Sequence, residues 1–380
     1  MKRREIPLLR LVFSQQEIDE IKAEIEEVLK SGFLTMSSRV REFEKKFATF
    51  CGTRFALGTN SGTSALEIAL RAIGVVGGGT VVMPSNTYMA TPLAAIKAGA
   101  SVIFTECESN TLQMAPEDLK EKIREDTLAV ILVHIGGIIS PQIESIISIC
   151  KRNKIPLIED AAHAHGATFN GKKAGQFGVC AGFSFYPTKV LTTAEGGMMV
   201  TNDMGLYNKG KILREHGKAD HNFNVHVEIG DNWRFSELHA VLGLQQMKKA
   251  DSILMERRRL AALYDKMLKN VSGIELIQIP ETMDPSYYKY IVLLDHDLNR
   301  DNIKKTIKEN YGVSLTGEVY SDPCHNQPVF KKYPQFLANS SKDKFPITED
   351  VCKRQICLPL YPGLSDEEVE YVVYALKNVL

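Results

Sequence analysis

Short apolar runs follow one another along one stretch of the chain: Val81-Val82-Met83, Val102-Ile103-Phe104, Leu128 to Val133 and Ile155-Pro156-Leu157-Ile158. Between these runs lie segments of helical character near residues 91–98, near residues 116–124 and in the segment that ends at Lys151. Strands that alternate with helices of this length favour a mostly parallel sheet that is covered by helices on both faces. We therefore predict an α/β fold whose ligand lies beyond the carboxyl ends of the strands.

The segments on either side extend this pattern. Ser14-Gln15-Gln16-Glu17 is a capping-box sequence that predicts a first amphipathic helix, which ends at Ser31-Gly32, and a second helix ends near Cys51-Gly52. After Asp231 we expect one long helix that runs to about Leu263. The last part of the chain contains β-rich runs and a terminal helix from about residue 365. We predict a large domain over residues 1–250 and a smaller α+β domain over residues 251–380.

Composition limits the classes of ligand. The chain has 380 residues, and its 46 Lys+Arg balance its 46 Asp+Glu, so no global charge would hold nucleic acid or an anionic membrane. The seven cysteines contain no CxxC pair, and the histidines form no zinc signature. The first residues lack the apolar core of a signal peptide. We expect a cytoplasmic protein that binds a small molecule and no metal.

One lysine lies in an unusual setting. The sequence Cys180-Ala181-Gly182-Phe183-Ser184 reads as a buried strand, Pro187 ends it, and Lys189 follows in a turn before Glu195-Gly196-Gly197 and the apolar run Met198 to Val200. A lysine between two apolar strands is either a neutralised reactive amine or a surface residue. This stretch by itself leaves both interpretations open.

Three further features fall at strand ends or helix starts. Asp160 follows the run Ile155 to Ile158, where it serves as a helix N-cap or as a functional acid. Tyr88 follows the run Val81 to Met83 and is either a packing aromatic or a site residue. The small residues Gly62-Thr63-Ser64 open a helix, whose free N–H groups suit a phosphate as well as an ordinary cap.

Together these features describe a pocket for pyridoxal 5′-phosphate. This cofactor needs an amine for its Schiff base, a carboxylate that keeps the ring nitrogen protonated, donors for its phosphate and a flat group against its ring. Each feature is weak singly, but all of them fall in one α/β half of the chain.

The sequence resembles the DegT/StrS family of sugar aminotransferases, a fold-type-I pyridoxal phosphate group. The matching segments are residues 60–66, Glu159-Asp160-Ala161-Ala162-His163-Ala164-His165-Gly166, residues 183–189, Glu195-Gly196-Gly197 and residues 230–238. They occur in the family's order and span essentially the whole chain. The resemblance implies an aspartate aminotransferase-like large domain, a smaller C-terminal α+β domain and a homodimer with shared active sites.

Carried over to this sequence, the resemblance assigns the chemistry to two residues. Lys189 carries the cofactor as an internal aldimine, and Asp160 pairs with the pyridinium nitrogen. Tyr88 stacks on the ring. His163 lies near the ring's 3′-oxygen, at a position where many relatives have glutamine.

The resemblance also assigns the phosphate. Gly62, Thr63 and Ser64 at the helix start, together with Ser184, hold it from one chain. Asn232, in the segment that resembles the family's Gly-x-Asn-x-Arg sequence, reaches the same phosphate from the neighbouring subunit.

The implied reaction moves an amino group from glutamate to a keto sugar, with a nucleoside-diphosphate-linked 4-keto-6-deoxy sugar as the expected substrate. The segments Val133-His134-Ile135-Gly136-Gly137 and Leu34-Thr35-Met36-Ser37-Ser38 depart from the commoner family patterns. A keto sugar without a nucleotide, or a small phosphorylated ketone, therefore stays open. A non-catalytic or regulatory homologue is the alternative of a different class, although Lys189, Asp160 and the phosphate donors are all retained.

Overall fold

The computed structural model describes residues 3–220, 223–315, 317 and 319–380. In its first part the helices and strands are, in order, α1 (Gln15–Ser31), α2 (Ser38–Cys51), β1 (Phe55–Thr59), α3 (Gly62–Ala72), β2 (Thr80–Pro84), α4 (Ala90–Lys97), β3 (Ser101–Thr105), α5 (Pro116–Lys122), β4 (Thr127–Val133), α6 (Ile143–Arg152), β5 (Leu157–Asp160), β6 (Thr168–Phe169), β7 (Lys172–Lys173), β8 (Cys180–Ser184) and β9 (Gly197–Thr201). The remainder contains α7 (Met204–Arg214), α8 (Glu237–Lys248), α9 (Ala250–Leu268), β10 (Ile274–Leu276), β11 (Met283–Asp284), β12 (Tyr290–Leu294), α10 (Arg300–Tyr311), α11 (Pro328–Lys332), α12 (Pro346–Arg354), β13 (Gln355–Leu358) and α13 (Asp366–Lys377).

A seven-stranded sheet in the order β1-β9-β8-β5-β4-β2-β3 forms the centre of the protein. The pairs from β8 to β3 are parallel, whereas β9 is antiparallel to both β8 and β1. All residues of β2, β5 and β9 are buried, as expected for strands that are covered on both faces. The predicted α/β fold with a mostly parallel sheet is confirmed.

The parallel register brings several strand ends to one edge of the sheet. Val133 of β4 pairs with Asp160 of β5, and Asp160 pairs with Gly182 of β8. The segment after β2, which includes Tyr88, leaves the same edge. The candidate acid, aromatic and lysine are therefore neighbours although they are far apart in the sequence.

The second sheet, β10-β12-β13, is antiparallel and belongs to the C-terminal part of the chain. Its core includes Tyr264, Val292, Ile356 and Val372. Ile6 is buried in the same core and exchanges backbone hydrogen bonds with Gly312 and Ser314. We retain the division near residue 250 as a proposal, with the first residues packed against the C-terminal unit.

The helix starts follow local chemistry. Ser14 and Glu17 form both bonds of the capping box of α1, and Gly32 ends the helix in the left-handed conformation, as predicted. The prediction of one long helix to about Leu263 is wrong, because Lys249 leaves helical geometry and separates α8 from α9. Its ammonium group pairs with Glu17 of α1 at 2.5 Å, so the junction between α8 and α9 is held next to α1.

Within the described residues, no helix combines the length and the apolar character that a membrane span requires.

Candidate active site

A cavity of about 760 Å³ opens at the edge of the sheet where the parallel strands end. This volume lies in the range of roughly 300–1,000 Å³ that is typical of small-molecule sites. Most of the predicted site residues line it: Gly62, Thr63, Tyr88, Asp160, His163, Ser184 and Lys189. The structure thus brings together side chains from β5, β8, the start of α3 and the loop after β2.

Lys189 lies in a turn held by backbone hydrogen bonds at both ends. Its N–H donates to the Tyr186 carbonyl, and Phe185 N–H donates to the Gly196 carbonyl, so the glycine pair after the lysine closes the loop. Its Nζ lies 4.6 Å from the centre of the Tyr288 ring. Burial lowers the pKa of Lys189 to about 8, and Lys289 acts in the same direction, against the opposing effect of Asp160. The share of neutral amine near neutral pH is therefore far larger than for an ordinary lysine, and a nucleophile needs this neutral form.

Asp160 ends strand β5 and is buried, with 6% of its surface exposed. Its Oδ2 accepts a 2.7 Å hydrogen bond from the Thr91 hydroxyl, and its Oδ1 accepts one from Ala162 N–H. Burial raises the pKa of Asp160, and these hydrogen bonds and Lys189 lower it in part. A cationic group in the cavity would favour the ionised form further. Thr91 was not predicted, and nothing in its local sequence identifies it.

Glu159, the preceding residue, points to the other face of the strand. Its carboxylate accepts hydrogen bonds from the N–H groups of Gly175, Phe177 and Gly178 and lies 2.9 Å from Nε2 of His134. The residue is fully buried. Glu159 therefore anchors the loop before β8 and, through His134, the end of β4.

The start of α3 forms one wall of the cavity. Ser61 and Ser64 make a capping box, and the Ser64 hydroxyl also donates to Asn60. These bonds hold the Ser64 side chain in the helix cap, and Ser64 is absent from the cavity lining, so its predicted phosphate contact stays a prediction. Gly62 is required here, since a Cβ atom would lie 2.7 Å from the Cβ of Ser184. Thr63 and Ser184 remain beside the first turn of the helix, where unpaired N–H groups favour an anion.

His163 packs against the aromatic rings of Tyr288 and Tyr320. Its ring stacks on Tyr288 at 4.0 Å between centroids, and its Nε2 lies 3.2 Å from the Tyr320 hydroxyl. Burial holds the pKa of His163 well below its ordinary value, so the ring is neutral. Its Nδ1 has no hydrogen-bond partner among the described residues. Tyr288 and Tyr320 line the cavity from the C-terminal part of the chain, and sequence analysis missed both.

Two predicted residues lie at the surface. Tyr88 is 64% exposed, and its ring is stacked near that of Tyr320, with 6.1 Å between centroids. Asn232 is exposed and does not line the cavity of its own chain. Its backbone carbonyl accepts a hydrogen bond from the Asn60 side chain, so its backbone lies close to the start of α3 in its own chain.

The residues present fit pyridoxal phosphate. A lysine with a lowered pKa, a buried carboxylate that lacks a paired cation at hydrogen-bond distance in the described structure, and a helix start with small residues share one cavity. These are the groups that the aldehyde, ring nitrogen and phosphate of this cofactor need.

Comparison with known proteins agrees with this site. The DegT/DnrJ/EryC1/StrS aminotransferase family model matches residues 15–377. A dTDP-3-amino-3,6-dideoxy-alpha-D-galactopyranose transaminase from Aneurinibacillus thermoaerophilus is 34% identical, with 94% of this chain and 95% of that protein covered.

Solved structures give the same result. DesV from S. venezuelae, in complex with a ketimine intermediate, has a TM-score of 0.88 and 30% identity, and the match covers 96% of this chain and 95% of that one. The ntda protein from Bacillus subtilis, with bound cofactor PMP, has a TM-score of 0.89 and 28% identity, with 100% and 86% covered. The chain therefore belongs to the DegT/DnrJ/EryC1/StrS aminotransferase family and is a pyridoxal phosphate-dependent sugar aminotransferase.

Proposed function

We propose that this enzyme transfers the amino group of glutamate to a nucleoside-diphosphate-linked 4-keto-6-deoxy sugar. The observation that carries the proposal is the meeting of Lys189, Asp160 and the start of α3 in one cavity of about 760 Å³. The relative from Aneurinibacillus thermoaerophilus is named for a dTDP-linked amino sugar, which supports a nucleotide-linked substrate.

The roles of the cofactor-facing residues follow from their surroundings. When bound, pyridoxal phosphate supplies an electron sink for the carbon that loses or gains the amine. In our proposal Asp160 holds the proton on the ring nitrogen, and Thr91 orients its carboxylate. Thr63, Ser184 and the first turn of α3 hold the phosphate, with Asn232 contributed by a second copy of the chain. Ser64 supports this turn from within the cap.

Lys189 is the base that moves the proton. Its lowered pKa of about 8 leaves an amine that would take up the proton lost by the donor's α-carbon and would hold it beside the bound cofactor. The ring of Tyr288, 4.6 Å from Nζ, limits where this amine can move. The same amine acts in reverse when the keto sugar accepts the nitrogen.

The mouth of the cavity suits a sugar. Tyr88, Tyr186 and Tyr320 offer flat faces, while Glu195 and Asp322 offer carboxylates that accept hydrogen bonds from hydroxyl groups.

The seven cysteines are all free and buried, which supports the expected cytoplasmic location.

A substrate screen with matched controls tests the proposal. Holoenzyme and glutamate are incubated with nucleotide-linked 4-keto and 3-keto sugars, a keto sugar without a nucleotide and simple keto phosphates, and amino products are measured by mass spectrometry. We expect a product from a nucleotide-linked 4-keto sugar, and none with Lys189→Ala. A product only from the free sugar or the keto phosphates would replace the proposed substrate. If glutamate did not change the absorbance of the bound cofactor, glutamate would be excluded as the amino donor.

A further inference from the structure

A second, smaller cleft of about 250 Å³ shares Lys189 with the main cavity. It lies between the N-terminal residues 9–13, residues of α8 and α9, and Pro362-Gly363. We call it the N-terminal cleft. Because Lys189 lines both spaces, the cleft and the main cavity adjoin at this residue.

The charged side chains that line the N-terminal cleft are all cationic: Arg10, Lys189, Lys249 and Arg257. Lys249 is neutralised by Glu17 at 2.5 Å. The ion pair of Arg10 is long, with 4.0 Å to Glu368, and its guanidinium lies over the Tyr361 ring. The lining thus carries more positive charge than nearby carboxylates balance.

Arg257 is a buried cation of this lining that has no carboxylate partner among the described residues. The residue is 2% exposed, and its Nη1 donates to the carbonyls of Tyr287 and Leu360. Its Nε has no hydrogen-bond partner among the described residues. Burial lowers its pKa to about 10, and the group still remains charged at neutral pH. A buried guanidinium without a carboxylate partner is costly, and a bound anion removes that cost.

We propose that the N-terminal cleft is a carboxylate subsite, which binds the carboxylate of the amino donor that is remote from the reacting carbon. The inference rests on the proposed function, because it concerns the donor that reacts at Lys189. Guanidinium groups bind carboxylates with short, charge-assisted hydrogen bonds, and the cleft is smaller than sites for drug-sized ligands. It suits one carboxylate of a short dicarboxylate whose reacting carbon lies beside Lys189.

The test uses glutarate, a five-carbon dicarboxylate that has no amine and cannot react. Its dissociation constant is measured by calorimetry on the wild-type holoenzyme, on Arg10→Gln and on Arg4→Gln. Arg4 is a matched control because its guanidinium also lies over a tyrosine ring, that of Tyr371, but it does not line the cleft. We expect Arg10→Gln to weaken glutarate binding about tenfold or more and Arg4→Gln to leave it unchanged.

Conversion of the cofactor absorbance supplies the second readout. In Arg10→Gln the half-saturating glutamate concentration should rise with little change in the limiting rate, whereas alanine, which lacks the second carboxylate, should react equally with both proteins. Equal glutarate affinity in Arg10→Gln and wild type, or no glutarate binding by wild type, would overturn the subsite. If the protein binds glutarate through Arg10 but glutamate does not change its cofactor absorbance, the carboxylate subsite is supported and glutamate is excluded as the amino donor.

Discussion

The hydroxyl of Thr91 donates a 2.7 Å hydrogen bond to Oδ2 of Asp160, so a residue of α4 fixes the carboxylate that ends β5. We expect Thr91→Val to raise the pKa of Asp160 further and to weaken binding of pyridoxal phosphate by about tenfold or more, since a hydrogen bond to a charged group contributes roughly 1.5–3 kcal/mol. Fluorescence titration of the cofactor-free protein measures this change. Thr91→Ser keeps the hydroxyl and should retain the wild-type affinity. Equal affinities for all three proteins would show that this hydrogen bond does not serve the cofactor.

Asp160→Asn should separate catalysis from stability. Turnover should fall by orders of magnitude, because a neutral amide cannot hold the proton on the ring nitrogen. Burial raises the pKa of Asp160 in the folded protein. Its contribution to stability is therefore present at low pH and is lost as the pH rises from about 4 through the folded-state pKa.

The cofactor-free Asp160→Asn variant should not lose stability in this way as the pH rises, because asparagine does not titrate. Its melting temperature relative to wild type should increase as the pH is raised from about 4 to neutrality, at roughly 2–4 °C per kcal/mol. Thermal unfolding at several pH values measures the difference. A difference that stays constant with pH would contradict the raised pKa, and near-normal turnover would contradict the catalytic role.

The distance between interacting residues in the sequence decides what could be predicted. Asp160 and Lys189 follow apolar strands whose ends must meet in a parallel sheet, so local patterns were sufficient to predict that they lie at one edge, whereas their roles came from the family resemblance. Thr91 contacts Asp160 across 69 residues, and Tyr320 contacts His163 across 157, with no periodicity that marks either contact. Ser61 and Ser64 have the three-residue spacing of a capping box, and that spacing could have shown that Ser64 serves the helix start.

The lowered pKa of Lys189 predicts the pH dependence of cofactor loading. Only the neutral amine attacks the aldehyde, so the rate of Schiff-base formation should rise with pH and level off above a midpoint near 8. Lys289 lowers this pKa by charge repulsion, and Lys289→Gln should therefore move the midpoint to higher pH. Stopped-flow absorbance measures the rate.

Two variants control this experiment. Lys22→Gln changes a lysine that pairs with Asp19 on α1 and should leave the midpoint in place. Lys189→Ala should remove the Schiff-base band at every pH. Survival of that band would refute the assignment of Lys189.

Glu159 should matter for folding more than for chemistry. Glu159→Ala leaves three N–H groups, two of them buried, without their acceptor, and we expect the free energy of unfolding to fall by about 3–5 kcal/mol. Urea denaturation of the cofactor-free protein measures this loss. Glu26→Gln, which removes an exposed pair with Lys30, should cost at most about 0.5 kcal/mol. A loss for Glu159→Ala as small as that of the control would mean that the loop before β8 does not depend on this carboxylate.

Asn232 allows the proposed dimer to be tested by complementation. The residue is exposed and does not line its own cavity, so in our proposal each active site combines Lys189 of one chain with Asn232 of another. Asn232→Ala and Lys189→Ala should each lose most activity when assayed singly. In a dimer of one copy of each variant, one site carries both defects and the other carries neither. An equal mixture, unfolded and refolded together, should therefore recover about a quarter of the wild-type activity. If Asn232 acted within its own chain, every site in the mixture would keep one defect, and the mixture would show no more activity than the average of the two variants.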